Sequence, residues 1–228
     1  DVGIITMGGG GDFPRNIMCS PLAGVEKGEY FNVQPYAKAA GDYLMHFIKA
    51  EKMPRKLKVG FSSSPANLTH ATYRDLGFAA RKDGKFDVYS AGGLGNNPRF
   101  GVKVAEAVEP DDILFYIRAM WLTFRAYGNY ENRGKARSRY MQESLGGAEN
   151  YKKAFLEKLN EVYASGEDLK QARTELEANR GQIDGYRTLV ATMDSQITAL
   201  QAQMDLLAGG SKEWQTLNTQ MQELITQR

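Results

Sequence analysis

The sequence predicts a chain in two unlike parts. Residues 1–166 mix α and β, and residues 167–228 are helical and patterned in heptads. Three observations predict this. Composition changes at Gly166: all seven prolines lie before residue 111, and residues 168–228 hold only two of the 24 aromatics and four of the 24 glycines. Before the change, short runs with period-two alternation sit between runs of helical period. After it, apolar residues alternate spacings of three and four for more than five heptads.

The bulk numbers narrow the function classes. A length of 228 residues suffices for one large or two modest domains with a buried core. Hydrophobic content of 42% and charged content of 25% are ordinary for a globular protein. A net charge of +2 gives no general affinity for nucleic acid or membrane. The charge is uneven: residues 168–228 carry 6 basic and 8 acidic side chains, against 23 and 19 in the rest. No apolar run approaches the ~20 residues of a membrane-spanning helix. The first residues show no signal-peptide pattern. A single cysteine excludes an internal disulfide framework and fits a reducing, cytoplasmic compartment. It also leaves this chain without the four thiolates of an iron–sulfur site.

The elements follow in order. Asn32-Val33-Gln34-Pro35-Tyr36 reads as a helix start, with Pro35 in the first turn. Tyr36, Ala40, Tyr43 and Phe47 line one face of that helix. Lys56 to Phe61 alternates and reads as a strand, with Lys56 and Lys58 on one face and Leu57, Val59 and Phe61 on the other. Phe86 to Ser90 reads as a second strand, running into Gly92-Gly93-Leu94-Gly95. Pro110-Asp111-Asp112 opens a helix with acids where the dipole favours them. Its buried face is Ile113, Ile117, Met120 and Phe124, and Gly128 ends it. A further helix covers Asn150 to Ala164.

In the tail, Leu169, Ala172, Leu176, Asn179, Ile183, Tyr186, Val190, Met193, Ile197, Leu200, Met204 and Leu207 form the a/d seam. Gly181 and Gly185 weaken it locally. Ala-Gly-Gly-Ser at 208–211 breaks it, and a short helix follows with Trp214, Leu217, Met221 and Leu224 at the same spacing. Two arrangements satisfy the pattern: a hairpin folded on itself, or association with a second copy or a partner helix through residues 169–207.

Three basic or glycine-rich stretches are candidates for ligand chemistry. Gly8 to Gly11 precede Asp12 and Arg15. Such a run is either a plain loop or a backbone cradle for an anion, with Arg15 as a bidentate donor. Lys56 and Lys58, beside Arg55, form either a solvated basic face or an anion seat. Asn129 to Arg139 is a basic run that is solvated in its bland reading. His46 and His70 have no metal-ligand spacing, and no phosphate-binding Gly-x-x-x-x-Gly-Lys-Ser/Thr pattern is present.

Taken in order, these stretches carry a resemblance. Gly10-Gly11-Asp12-Phe13-Pro14-Arg15-Asn16 with Cys19-Ser20-Pro21 comes first, then Pro54-Arg55-Lys56-Leu57-Lys58. Gly92-Gly93-Leu94-Gly95 with Pro98-Arg99 follows, and last Gly128-Asn129 with Asn132-Arg133-Gly134-Lys135-Ala136-Arg137. The sequence resembles the nitrite and sulfite reductase family over roughly residues 8–165. The resemblance implies an α+β fold, a mixed sheet with flanking helices, and a sirohaem coupled to a [4Fe–4S] cluster. It implies six-electron reduction of sulfite or nitrite. It assigns Arg15, Lys56 and Lys58 to binding the substrate oxyanion and helping deliver protons. It makes Gly10, Gly11, Asn16, Gly92, Gly93, Arg99, Arg133 and Arg137 partners of the macrocycle and its carboxylates.

The sequence departs from the family in one respect above all. The paired-cysteine motifs that hold the cluster are missing, and Cys19 lies outside them. The expectation is therefore a reductase region that is incomplete alone, lacking turnover unless a partner supplies the cysteines. The alternative is a non-catalytic oligomerising scaffold that keeps only the fold. The electron donor is not encoded in any of these residues.

Overall fold

A computed structural model describes residues 9–15, 17–48, 51–165, 168–207 and 209–227, with 168–184 and 187 as backbone only. The chain divides into two compact units, residues 1–177 and 178–228.

In the first unit the strands are β1 (Met18–Cys19), β2 (Val59–Ser62), β3 (Leu76–Ala80), β4 (Phe86–Ser90) and β5 (Val102–Val108). They form a five-stranded sheet in sequence order. β1, β2 and β3 are parallel, and β4 and β5 join antiparallel, so the sheet is mixed as the resemblance implies. The helices are α1 (Gln34–Met45), α2 (Ile113–Tyr127), α3 (Met141–Ser144) and α4 (Ala148–Ser165).

The two faces of the sheet differ. Val59, Phe61, Leu76, Phe78, Phe86, Val88 and Ser90 share one face by alternation and are all fully buried. Phe61 stacks on Phe78 at 4.7 Å, and Phe86 meets both edge-on. Tyr36 of α1 packs edge-on against Phe86 at 5.4 Å. Met120 of α2 and Tyr151 of α4 reach Ser90 on the same face. The helical layer and the core therefore lie together. On the opposite face a single 3₁₀ turn, Ala71–Tyr73, presses on Gly77, and Arg74 crosses Gly60. A Cβ on Gly77 would stand 1.9 Å from the Ala71 carbonyl oxygen, so that close approach requires glycine.

Local chemistry explains the helix limits. The α1 start carries Pro35 in its first turn, and the Asn32 carboxamide accepts from the Gln34 N–H at 3.0 Å. Tyr36, Ala40 and Tyr43 are buried as their spacing predicts, and Phe47 lies partly buried just past the helix end. α2 is buried nearly all round, and Pro110–Asp112 form a 3₁₀ turn before it. Gly128 follows α2 with φ −73°, so its role is not a left-handed cap; it is close packing, because a Cβ there would sit 2.4 Å from Pro54 Cγ. β5 bulges against β4, and Ala107 in it takes φ 53°.

The long helix α5 (Asp168–Met204) begins within the first unit; the second unit comprises its remainder from Ala178 and the helix α6 (Lys212–Gln227). Leu200 and Gln203 share a shallow groove with Gln220 and Leu224, which makes the pair antiparallel. Met204 and Met221 are buried there. Tyr186 and Leu189, further back on α5, are 67% and 50% exposed. No helix among the described residues is long and apolar enough to cross a membrane.

Candidate functional site

The first and second motifs run side by side. Pro14 bridges Leu57 in parallel, the Arg15 N–H donates to the Leu57 carbonyl at 2.8 Å, and Leu57 N–H donates to the Phe13 carbonyl at 3.2 Å. β1 continues this pairing on β2. Arg15 is thereby set beside the Lys56–Lys58 segment. Its guanidinium folds back on the glycine loop, donating to the Gly9 carbonyl and to the Gly11 carbonyl, the latter at 2.9 Å. Its Nε is buried without a partner. Gly11, at φ +80°, makes the turn that brings those carbonyls round; Gly10 has open space where a side chain would go. Asn16 lies outside the described residues.

Lys56 and Lys58, both half-buried, lie just before β2 and not within it: the strand read over Lys56–Phe61 begins at Val59 and is buried at all four positions, while Leu57 and Val59 are fully buried between and after the lysines. From 56 to 59 burial alternates as read from the sequence. The Lys58 ammonium is pushed below the ordinary lysine range, first by burial and then by Arg137, Lys56 and Arg74, with Asp75 opposing them. Four cations therefore share one corner.

Asp75 stands at that corner, its side chain 0% exposed. It accepts from the Lys58 N–H at 2.8 Å, from Arg137 Nη2 at 3.2 Å to each oxygen, and from the Ser138 hydroxyl. Arg74 beside it donates Nε to the Thr69 carbonyl at 2.7 Å, and burial lowers its pKa. The third motif joins here through the main chain: Gly92 N–H donates to the Arg74 carbonyl at 2.9 Å. Gly93 and Arg99 close a turn by exchanging main-chain hydrogen bonds at 3.0 and 2.9 Å. A Cβ on Gly93 would lie 3.3 Å from the buried Arg139, whose Nε also has no partner.

Arg133 is placed differently. It pairs with Asp12 at 2.8 Å, and Asp12 also holds Arg55 at 3.1 Å. Arg137 lines a cleft of ≈600 Å³ with Tyr127, Tyr140, Lys135 and the acids Glu131 and Glu143. Lys135 is paired with Glu143 at 3.1 Å, which leaves Arg137 as the cation of that wall without a partner among the described residues of the cleft. The structure thus gathers Arg15, Lys56, Lys58 and Arg137 around one corner, with Gly92 and Gly93 adjoining. Arg133 is tied to the first loop instead.

Sequence reasoning missed Asp75, Arg74 and Ser138. Their partners lie up to 63 residues away in the chain, and a lone acid before a strand carries no pattern. Arg139 sat inside the basic run without being singled out.

Comparison with known proteins is consistent with this geometry. Residues 10–163 match the family model described as the nitrite and sulphite reductase 4Fe-4S domain. The sulfite reductase [NADPH] hemoprotein beta-component of Thiocapsa roseopersicina is 31% identical over 176 residues, covering 63% of this chain and 31% of that protein. The assimilatory ferredoxin-dependent nitrite reductase of Haloferax mediterranei is 27% identical over 183 residues, covering 76% and 31%. Among solved structures, the Mycobacterium tuberculosis NirA protein superposes with a TM-score of 0.56 at 26% identity, covering 69% of this chain and 28% of that one. The chain belongs to the nitrite and sulfite reductase family, and it spans about a third of the length of the curated relatives it matches.

Two groups go with this family, and the residues fit them unequally. A tetrapyrrole bearing several carboxylates needs convergent cationic donors. Arg15, Arg137 and Arg139 each keep a buried, unpartnered Nε–H, and Lys58 lies close enough to Arg137 for the two charges to repel, so the donor set fits. A [4Fe–4S] cluster needs four thiolates, and the chain has one cysteine. Cys19 is half-buried and its pKa is raised by burial, which disfavours thiolate. Among the described residues no three His, Cys, Asp or Glu side chains group as metal ligands. The cluster does not fit this chain.

Proposed function

We propose that residues 10–163 form the sirohaem- and oxyanion-binding region of a sulfite or nitrite reductase whose electron-supplying cluster is held by cysteines outside these 228 residues. One observation carries the reading: Lys56, Lys58 and Arg137 converge on one sheet corner, with Arg15 bridged alongside. Sirohaem, if held by these residues, would supply the redox-active iron for reduction of the oxyanion. The chain's own residues do the rest. Lys56 and Lys58 hold the anion by charge and stabilise the negative charge that builds as N–O or S–O bonds break. Lys58, its pKa lowered, gives up a proton to a leaving oxygen more readily than an ordinary lysine. Arg15 and Arg137 bind carboxylate or oxyanion in fork geometry, and Arg99, Arg133 and the Gly92-Gly93 turn border the macrocycle.

The test is a visible absorption spectrum of the chain expressed with sirohaem supply. The expected result is a bound tetrapyrrole whose spectrum responds to sulfite, with that response weakened in Arg15→Ala and in the Lys56→Ala/Lys58→Ala pair. Reduction of sulfite or nitrite is expected to be absent for the chain alone. A colourless protein overturns the reading.

The single cysteine favours a second reading, in which the globular part keeps the fold without the chemistry and α5 assembles copies or meets a partner helix. The exposed Tyr186 and Leu189 on α5 support it. Sedimentation of the full chain separates the two: a colourless oligomer is the scaffold.

A further inference from the structure

We propose that Asp75 is a positioning residue, which holds the Arg137 guanidinium in place so that its outward edge meets a carboxylate or oxyanion in the adjoining cleft. The proposal rests on the reading of this corner as an anion site. Three observations carry it.

Asp75 is fixed from every side. Its carboxylate takes the Lys58 N–H, the Ser138 hydroxyl and Arg137 Nη2, and its carbonyl accepts from the Ala91 N–H at 2.8 Å and the Ser90 hydroxyl at 3.3 Å. It therefore ties the entry to β2, the end of β4 and the 137–138 turn to one rigid point. Arg137 turns a single amino group inward. Its side chain is only 19% exposed, it lines the ≈600 Å³ cleft, and its Nε is buried without a partner. A buried donor without a partner is costly, and a ligand oxygen at that position would satisfy it. Finally, the corner is crowded with like charge. Lys56, Lys58, Arg74 and Arg137 repel one another, and Asp75 is the acid set among them. Without it the flexible cations would splay toward water; with it they stay convergent before any anion arrives.

Asp75→Asn keeps the shape and the acceptor for Lys58 N–H but removes the charge. The probes are uroporphyrin, a tetrapyrrole carrying eight carboxylates, followed by fluorescence, and the Arg137 Nε–H followed by ¹⁵N relaxation. In the full chain Asp75→Asn and Arg137→Ala are each expected to weaken uroporphyrin on the order of tenfold. The double variant is expected to be no weaker than Arg137→Ala alone. An Asp75→Asn loss that persists undiminished in the Arg137→Ala background overturns the proposal, since Asp75 would then act through the fold at large. The wild-type protein gives a test that needs no variant: Arg137 Nε–H is expected to be as rigid as the backbone, and Arg133 Nε–H mobile. An Arg137 as mobile as Arg133 also overturns it. Uroporphyrin failing to bind a wild-type protein with a rigid Arg137 counts against the anion-site reading, and the relaxation data still decide the role of Asp75.

Discussion

Asp12 and Arg133, 121 residues apart in the chain, pair at 2.8 Å, and through that pair the first glycine loop is tied to the basic run after α2. Asp12 holds Arg55 as well. One carboxylate thus occupies two guanidinium groups that border the proposed anion site.

Removing that carboxylate tests whether it competes with ligand. The Arg133 side chain is 67% exposed, so the pair itself stabilises little. Asp12→Ala is expected to change unfolding free energy by about 1 kcal/mol or less in urea titration. Uroporphyrin affinity is expected to rise several-fold with a steeper loss in salt, because two cations are freed. An affinity that falls means Asp12 shapes the loop instead of competing for it.

Lys58 makes a signed prediction about pH. Burial and neighbouring cations lower its pKa in the folded chain. In the window between that lowered value and the ordinary ~10.4, the unfolded chain binds more protons than the folded one. Stability therefore rises with pH through the window. Lys58→Met is expected to stabilise the protein at pH 7, with the gap over wild type closing as pH approaches the ordinary lysine value. Sulfite or sulfate should raise the Lys58 pKa, read directly by NMR titration of its side-chain nitrogen. No response to either anion would remove Lys58 from the anion seat.

Two glycines are expected to resist substitution to different degrees. At Gly77 an added Cβ would overlap the Ala71 carbonyl oxygen at 1.9 Å, and its nearest neighbours are all backbone atoms of Ala71, which cannot rotate aside as a side chain would. Gly77→Ala is expected to abolish the cooperative unfolding transition. At Gly128 the clash involves the ring of Pro54 and the Phe124 carbonyl, both at 2.4 Å, at the very end of α2. Gly128→Ala is expected to cost about 1–3 kcal/mol and to displace the Pro54–Lys58 segment. Circular dichroism melts of the two variants decide this.

Much of the fold was legible because its signals are local. Phe86–Ser90 is a strand as read, and α1 and α2 bury the apolar faces their spacing predicts. β3 was not legible: Leu-Gly-Phe-Ala-Ala is buried on four of five positions and shows no alternation. β5 slips phase at its bulges, so the residues opposite Ser90, Val88 and Phe86 are Val102, Ala105 and Val108, a spacing of three and not two. At the site, charge and glycine patterns exposed the cations but not what orders them. Asp75 acts on Arg137 and Ser138 across 62 and 63 residues, and such a pairing has no signature in one sequence. Arg133 reads the same as Arg137 in the chain, yet the fold gives one to Asp12 and the other to Asp75.

Tyr151 offers a test of how dry the support beneath this corner is. Its hydroxyl meets the Ser90 hydroxyl at 2.7 Å and Met120 Sδ at 3.5 Å, and Ser90 in turn reaches the Asp75 carbonyl. The phenol is fully buried, and burial pushes its pKa up. Tyr151→Phe removes the hydroxyl but leaves an acceptor for the one Ser90 proton, either Met120 Sδ or the Asp75 carbonyl, so the expected cost at pH 7 is about 1 kcal/mol. The sign at high pH is also fixed. Above the ordinary tyrosine value of ~10 the unfolded chain releases this proton while the folded chain keeps it, so stability falls as pH rises. The phenylalanine variant lacks that loss. Urea midpoints of wild type and variant are therefore expected to converge between about pH 9 and 11. Parallel curves would mean that Tyr151 ionises freely, that water reaches the helix–sheet interface, and that Asp75 is held less firmly than its contacts imply.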